Sequence, residues 1–241
     1  MFSYLYHTLI FNPLYNGLIF LFDTVPFIDA GFAVIIFTII VRLILFPLSK
    51  KAIVTQVRMK EIEPELNKLK KAVPDKQQQA LKVMELYKTK GVNPFSSFFL
   101  LFLQLPIIWA LYSIFLNSGL PKVQESLLYS FVSIPEINMS FLSFANIADK
   151  SIFFALLAAV AQYLQLHFSL ASSGPVAKSD NPSMDMAQNM MKNMKYVFPV
   201  MVFLISYKIS AVVAIYWTVS SLFTLAQEIV VKKHLLAHKP L

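Results

Sequence analysis

One arginine, Arg42, stands inside an apolar run, several residues before Pro47 and the Lys50-Lys51 pair. Arginine at bilayer depth costs at least about 2.5 to 3.5 kcal/mol on insertion scales, so something must compensate it. Two compensations are open. At 1.5 Å per residue Arg42 lies roughly 10 Å from the boundary that Pro47 and the lysine pair mark, so its side chain can snorkel towards the headgroups. Alternatively, polar groups on other helices receive it. The helical phase of those groups fits the second reading: Thr38, Arg42 and Ser49 share a face by spacings of four and seven. Gln162, Gln165 and Ser169 share another, and Trp217, Ser220 or Ser221, Thr224 and Gln227 a third, while Gln104 lies within a further apolar run. Lipid cannot satisfy such groups, so the stripes are expected to face one another or a wet cavity, and a cavity holding Arg42 is expected to open to the cytoplasm. For the glutamines and serines, dry interhelical hydrogen bonding is the alternative.

Covalent chemistry is disfavoured by subtraction. Intramembrane proteolysis needs a Ser and His pair, paired aspartates, or a zinc motif such as HExxH, and none is present. The histidines are His7, His167, His234 and His238, and no Asp or Glu lies well inside an apolar run, Glu228 being near the end of the last one. Ion-coupled transport ordinarily uses such intramembrane carboxylates. With no cysteine and five glycines, the chain also lacks thiolate metal sites, a P-loop and a dinucleotide fingerprint. No cofactor, metal or small-molecule substrate is expected, and the protein is not expected to be an enzyme.

The elements that must position these residues are helical. The 241 residues are 57% hydrophobic and only 14% charged, against roughly 25% charged in soluble domains. Runs near the roughly 20 residues that cross a bilayer lie at Phe32–Leu48, Phe95–Leu116, Ile152–Leu170, Met194–Ile209 and Ala211–Val231, giving five expected spans. The net charge of +8 is concentrated after the first span, from Lys50 and Lys51 through Arg58, Lys60, Lys68, Lys70, Lys71, Lys76, Lys82, Lys88 and Lys90. By the positive-inside rule that segment is cytoplasmic. The loop 119–150 then lies outside, the loop 171–193 and the tail with Lys232, Lys233 and Lys239 inside, and the N-terminus outside. Residues 1–30 contain no Lys or Arg, and Asn12-Pro13 and Asn16-Gly17 interrupt their apolar stretch, so they are expected as an interfacial amphipathic helix. A sixth span or an uncleaved signal is the alternative, although a signal would carry a cationic start.

Residues 50–92 have their own pattern. Ile62, Leu66, Leu69 and Val73 form one stripe; Pro74-Asp75 can start a second helix whose stripe is Ala80, Val83, Met84 and Tyr87, and Gly91 with Pro94 stops it. This predicts a basic helical hairpin, either a solvated face or a docking surface for an acidic partner. Residues 172–185 are the one candidate flexible stretch, and Met184, Met186, Met190, Met191 and Met194 offer thioethers that either fill an interface or adapt to varied apolar segments.

An ordered set of short motifs resembles the YidC family of bacterial membrane insertases. It consists of Ile39-Ile40-Val41-Arg42-Leu43 with Phe46-Pro47-Leu48, Glu63-Pro64-Glu65-Leu66, the YKTKGVNP stretch from Tyr87 to Pro94, Gln104-Leu105-Pro106-Ile107, and Tyr216-Trp217. The resemblance covers nearly the whole chain and reads it as a short bacterial form without a large extracytoplasmic domain; the lipoprotein cysteine of many Gram-positive forms is also missing. It implies an all-α integral membrane protein with five transmembrane helices around a hydrophilic groove, open to cytoplasm and lipid and closed to the outside. The groove arginine maps onto Arg42, and the substrate path onto Gln104 to Tyr112 and Trp217 to Thr224. The expected groove set is thus Thr38, Arg42, Gln104, Tyr112, Gln162, Gln165, Trp217, Ser220, Ser221 and Thr224, in a single domain over residues 1–241 of a bacterial plasma membrane protein. The implied partners are nascent membrane proteins and the lipid bilayer, with the ribosome and a Sec translocon as further expectations. The rivals are a small-solute carrier or channel, and an assembly subunit without insertion activity.

Overall fold

The computed structural model describes residues 2–25, 28–93, 96–117, 120–142, 145–171 and 182–237. Residues 172–181 of the expected flexible stretch, Pro94, His238 and Lys239 lie outside the described residues, as do the side chains of Met184, Met186, Met190 and Met191. The chain is an all-α membrane protein whose only strands among the described residues are the short antiparallel pair β1 (Ser140–Phe141) and β2 (Ala145–Asn146).

Each expected apolar run is helical: α3 (Ala30–Ile44), α7 (Ser96–Tyr112, continued by a π-helical turn Ser113–Asn117), α8 (Ile152–Ala171), α9 (Pro182–Ile209) and α10 (Ala211–Ala237). Among the described residues, α8 and α10 are long and apolar enough to cross a membrane, and α3 does so together with α4 (Phe46–Glu61) as a broken pair; Gln104–Phe115 is a shorter apolar helix. The break at Leu45 cuts the first run, so the phase linking Thr38 and Arg42 to Ser49 is not carried across it. Pro47 explains the restart, since proline lacks the amide a continuing helix needs but fits a first turn. The expected loop 171–193 is likewise shortened, because α9 begins at Pro182, where a proline is followed by good helix formers such as Met, Ala and Gln.

Two compact units divide the chain, one of residues 1–45, 101–162 and 199–223, the other of residues 46–100, 163–198 and 224–241. In the first, α1 (Phe2–Tyr6), a π-helical turn His7–Phe11 and α2 (Asn12–Thr24) follow one another, and Tyr15, Leu18 and Ile19 are fully buried. The Asn12-Pro13 and Asn16-Gly17 pairs do not break α2: Pro13 sits in its first turn and Asn16 is buried. Asp29 caps α3, its Oδ1 accepting from the Phe32 amide at 2.8 Å.

In the second unit, α5 (Glu63–Ala72) and α6 (Lys76–Thr89) form the expected hairpin. Asp75 caps α6 by accepting from the Gln77 amide at 3.0 Å. Gly91 ends it at φ +63°, with the Val92 amide donating to Tyr87 O and the Gly91 amide to Lys88 O, the left-handed closure that suits glycine. Gln79 Nε2 donates to the carbonyls of Lys70 and Val73 at 2.6 and 3.1 Å, satisfying the end of α5. Leu66, Val83 and Leu86 form the core of the pair, with Leu69 and Tyr87 packed on it. The α6 stripe is thus rotated from the expected one. Ala80 and Met84 are exposed, and Leu86, at i+3 from Val83, takes the buried position. The Lys90–Glu65 ion pair at 2.7 Å is largely solvated and contributes little.

Because this small core holds the hairpin, Leu66→Ala is expected to cost about 2 kcal/mol or more locally, in line with core truncations. Hydrogen exchange should quicken across α5 and α6 while the amides of α8 and α10 keep their protection.

Candidate functional site

α10 organises the polar residues of the first unit because it carries two pairs spaced by four. Tyr216 and Ser220 occupy one face, and Trp217 and Ser221 the next, rotated by about 100°. Each pair meets different helices.

At the first face, Arg42 from the last turn of α3 donates through Nε to Ser220 Oγ at 2.7 Å and through Nη2 to Gln104 Oε1 at 2.6 Å, with a further short Nη2 bond to Ser220 Oγ. Gln104 of α7 uses its other end to donate from Nε2 to the Tyr216 hydroxyl at 2.8 Å and to Ser220 Oγ at 3.4 Å. Tyr216 and Ser220 are almost wholly buried, whereas Arg42 and Gln104 remain partly accessible. Among the described residues Arg42 has no ion pair, and the side chains that accept from it, Ser220 and Gln104, are neutral. A buried charge held by neutral dipoles keeps most of its field, since no countercharge cancels it.

At the second face, Gln162 of α8 accepts from Trp217 Nε1 at 2.8 Å and from Ser221 Oγ at 3.1 Å through the same oxygen. All three residues are buried, so this is a dry knot joining α8 to α10. Of the expected list, Gln104 and Ser220 thus meet at Arg42, and Trp217 and Ser221 at Gln162.

The others fall elsewhere. Thr38 is fully buried one turn before Arg42, with its hydroxyl donating to Val34 O at 2.6 Å in its own helix. Tyr112, eight residues beyond Gln104 and so roughly 12 Å further along α7, is half-buried and packs on Trp109 with ring centroids 5.6 Å apart. Gln165 and Thr224 belong to the second unit and are half-buried there. In that unit Gln227 Nε2 donates to Ser49 Oγ at 2.6 Å and to Phe46 O at 3.3 Å, tying α10 to α4. The adjacent Glu228 accepts from Ser169 Oγ at 2.9 Å and from Lys232 Nζ at 3.3 Å, tying α10 to α8.

Tyr216 was not on the expected site list, although it belongs to the Tyr216-Trp217 motif. Its spacing of four from Ser220 is the signal that places it on the Arg42 face. Among the described residues no group of three or more His, Asp or Glu side chains could hold a metal ion.

Comparison with known proteins gives a consistent result. A family description, "60Kd inner membrane protein", matches residues 20–238. A "Membrane protein insertase YidC" of Fusobacterium nucleatum subsp. nucleatum is 33% identical over 229 residues, covering 93% of this chain and 97% of that protein. The protein of the same name from Clostridium tetani is 35% identical over 212 residues, covering 87% and 84%, and that of Oceanobacillus iheyensis 28% over 214 residues, covering 87% and 77%.

The two knots predict a contrast in stability. Gln162→Leu strands the buried Trp217 and Ser221 donors and should cost about 1 to 3 kcal/mol. Thr38→Val removes only a bond to the same helix and should stay within about 0.5 kcal/mol. Thermal unfolding midpoints of the two variants in one detergent check the order.

Proposed function

The chain belongs to the 60Kd inner membrane protein family, and from that premise we propose that it is a bacterial membrane protein insertase whose working site is the cytoplasm-facing surroundings of Arg42. The observation that carries this reading is the arginine itself, held at the end of α3 by Gln104 and Ser220 without an ion pair among the described residues. A guanidinium in that state attracts an acidic or carbonyl-rich segment strongly, because it presents donors and an uncancelled charge where water is scarce. Gln104, Tyr112, Gln165, Ser220 and Thr224 complete the proposed groove, and the buried Thr38, Gln162, Trp217 and Ser221 form its dry wall. Of these, Gln104 and Ser220 orient Arg42, and Gln162 fixes the α10 face beside it.

The proposed cycle needs no covalent step. The polar segment of a nascent membrane protein, which must cross the bilayer, pauses at Arg42. Its adjoining hydrophobic helix slides along α7 and α10 into lipid, and hydrophobic transfer drives the movement, so no nucleotide is consumed. Leu105 and Trp109 on α7 and Leu222 on α10 are exposed apolar side chains suited to that path. In the proposed topology of five spans, supported by the distribution of lysines, the basic hairpin α5–α6 and the C-terminus are cytoplasmic and the N-terminus and the loop 119–150 lie outside. Residues 1–30 act as an interfacial segment, residues 50–92 as a cytoplasmic basic arm within one insertase domain, and the arm and tail are the surfaces offered to a ribosome or a Sec translocon.

Purified protein in liposomes should insert a substrate with an acidic tail unaided. Arg42→Ala should lower that insertion by roughly tenfold to a hundredfold, the loss of a charge-assisted interaction of about 1.5 to 3 kcal/mol, and leave a neutral-tailed substrate unchanged. Equal insertion of both tails by the variant would remove the capture step, and no insertion by the parent protein would favour an assembly subunit.

A further inference from the structure

From residue 126 to residue 142 the sequence carries a single charged residue, Glu136. Several apolar side chains of this stretch are nevertheless open. Phe131 is 69% exposed and Ile134 55%, with Tyr129 exposed beside them. The Phe131 ring meets Phe20 of α2 edge-on, with centroids 6.4 Å apart, and lies 5.7 Å from the Tyr129 ring. Three exposed aromatic rings from two elements thus stand in one row. On α2, Phe20 shares its open stripe with Pro13 and Thr24, and Asp23 lies at the edge. The Thr24 hydroxyl donates to Phe20 O at 2.7 Å, so this stripe asks for little hydrogen bonding from its surroundings.

The rings are held in place. Asn16 of α2 grips the backbone beneath them, its Nδ2 donating to Leu127 O at 2.9 Å and its Oδ1 accepting from the Tyr129 amide at 2.6 Å. The Tyr15 hydroxyl accepts from the Gln124 amide at 2.8 Å. The Val132 amide donates to Tyr129 O at 3.0 Å, closing a turn in which Val132 is buried and Phe131 is open. Burying a Phe or Ile side chain is worth about 1.5 to 3 kcal/mol, so a held turn that keeps both open implies a surface that covers them.

Charge, polarity and position identify that surface. Residues 126–135 contain no Lys, Arg, Asp or Glu, so the patch cannot complement an acidic or a basic partner. Tyrosine beside phenylalanine is the composition of a membrane-interface belt. Ser130 and Ser133 alternate with the apolar side chains and are exposed, so the turn itself stays where water can serve its polar groups while the side chains reach towards acyl chains. The loop also adjoins the starts of two apolar helices. The Ala30 amide of α3 donates to Asn138 O at 2.9 Å, and the Ala211 and Val212 amides of α10 donate to Asp149 O and Ile147 O at 2.8 and 2.9 Å.

We infer that residues 129–134 and Phe20 form an apolar seat on the lipid surface, at the boundary of headgroups and acyl chains in the outer leaflet. The seat binds by partition and takes no account of headgroup charge. It also sets the height of the first unit. α3 starts beside it, and from Ala30 to Arg42 that helix rises about 18 Å at 1.5 Å per residue, so Arg42 is held no deeper than that below the seat. Which leaflet is met rests on the orientation proposed above; the contact with lipid does not.

The test uses the full chain, which has no native cysteine, in liposomes. Phe131→Cys and Ile134→Cys, at positions the protein itself leaves open, should react at least about tenfold more slowly than Glu136→Cys with a charged, water-soluble thiol reagent, because lipid disfavours the thiolate. The slowing should be equal in phosphatidylcholine vesicles and in vesicles containing phosphatidylglycerol. Reaction at positions 131 and 134 as fast as at 136 would overturn the seat and leave the patch to a protein partner. Protection confined to phosphatidylglycerol vesicles would overturn binding by partition. Protection that is lost when the protein is diluted in lipid would assign the patch to a second copy and overturn the seat. A second measurement does not depend on thiol reactivity. A nitroxide attached at Ile134→Cys should be relaxed more by oxygen than by a water-soluble nickel chelate, and the reverse order would overturn the proposal. Labelling Glu136→Cys and Lys71→Cys in vesicles of one orientation separates the two readings. Opposite sides are expected, and labelling of both from one side would overturn the orientation alone, leaving positions 131 and 134 to judge the seat.

Discussion

The energetic constraint on which the rest depends is the partly buried guanidinium of Arg42. A charge inside the membrane-embedded part of a protein must be compensated or it destabilises the fold. Here the compensation is dipolar: the Ser220 hydroxyl and the Gln104 amide oxygen accept from it, and Gln104 is itself fixed by donating to Tyr216. Because these partners come from α7 and α10, meeting the needs of one side chain also fixes how three helices approach one another. Neutral partners satisfy the hydrogen bonds but leave the charge uncancelled, and that residual field is what a captured polar segment can use.

α10 is the common element of the knots around Arg42, Gln162, Ser49 and Ser169. Its Tyr216 and Ser220 serve Arg42, and its Trp217 and Ser221 serve Gln162. Gln227 and Glu228, again adjacent residues, serve Ser49 and Ser169 in the second unit. Neighbouring residues on a helix point about 100° apart, so each consecutive pair can address two different helices at the same height. The apolar remainder of the helix buries Val212, Val213, Ala214 and Ile215 against its surroundings. Hydrophobic packing supplies cohesion, and the paired polar residues supply register.

What could be read from the sequence follows from what periodicity encodes. The apolar runs became helices because a helix satisfies its whole backbone within one segment in lipid. Asp75 and Gly91 marked the hairpin ends because a side-chain acceptor and a left-handed closure have few substitutes. Three things were hidden. The break at Leu45 lies inside continuous apolar sequence, and only Pro47 hints at it, so the helical phase of Thr38 and Arg42 does not extend to Ser49. The start of α9 was obscured by polar residues that are helix formers even without an apolar stripe. The true α6 stripe depended on which leucine of its partner helix it met, a tertiary choice that put Leu86 inside and Met84 out. Within the site, phase singled out Arg42, Gln104, Ser220, Gln162 and Trp217, but it could not say that the Thr38 hydroxyl turns back onto Val34 or that Tyr216 joins the knot.

The central claim is that the Arg42 knot is reached by cytoplasmic water while the layer beyond it is dry. Single cysteines at Gln104, Thr224 and Thr38, in vesicles exposing the hairpin face, can be tested with a water-soluble thiol reagent on this cysteine-free chain. The account predicts labelling at positions 104 and 224 and protection at position 38. Protection at all three positions would contradict it, reducing the polar stripes to dry interhelical bonding and removing the station at which a polar segment could pause.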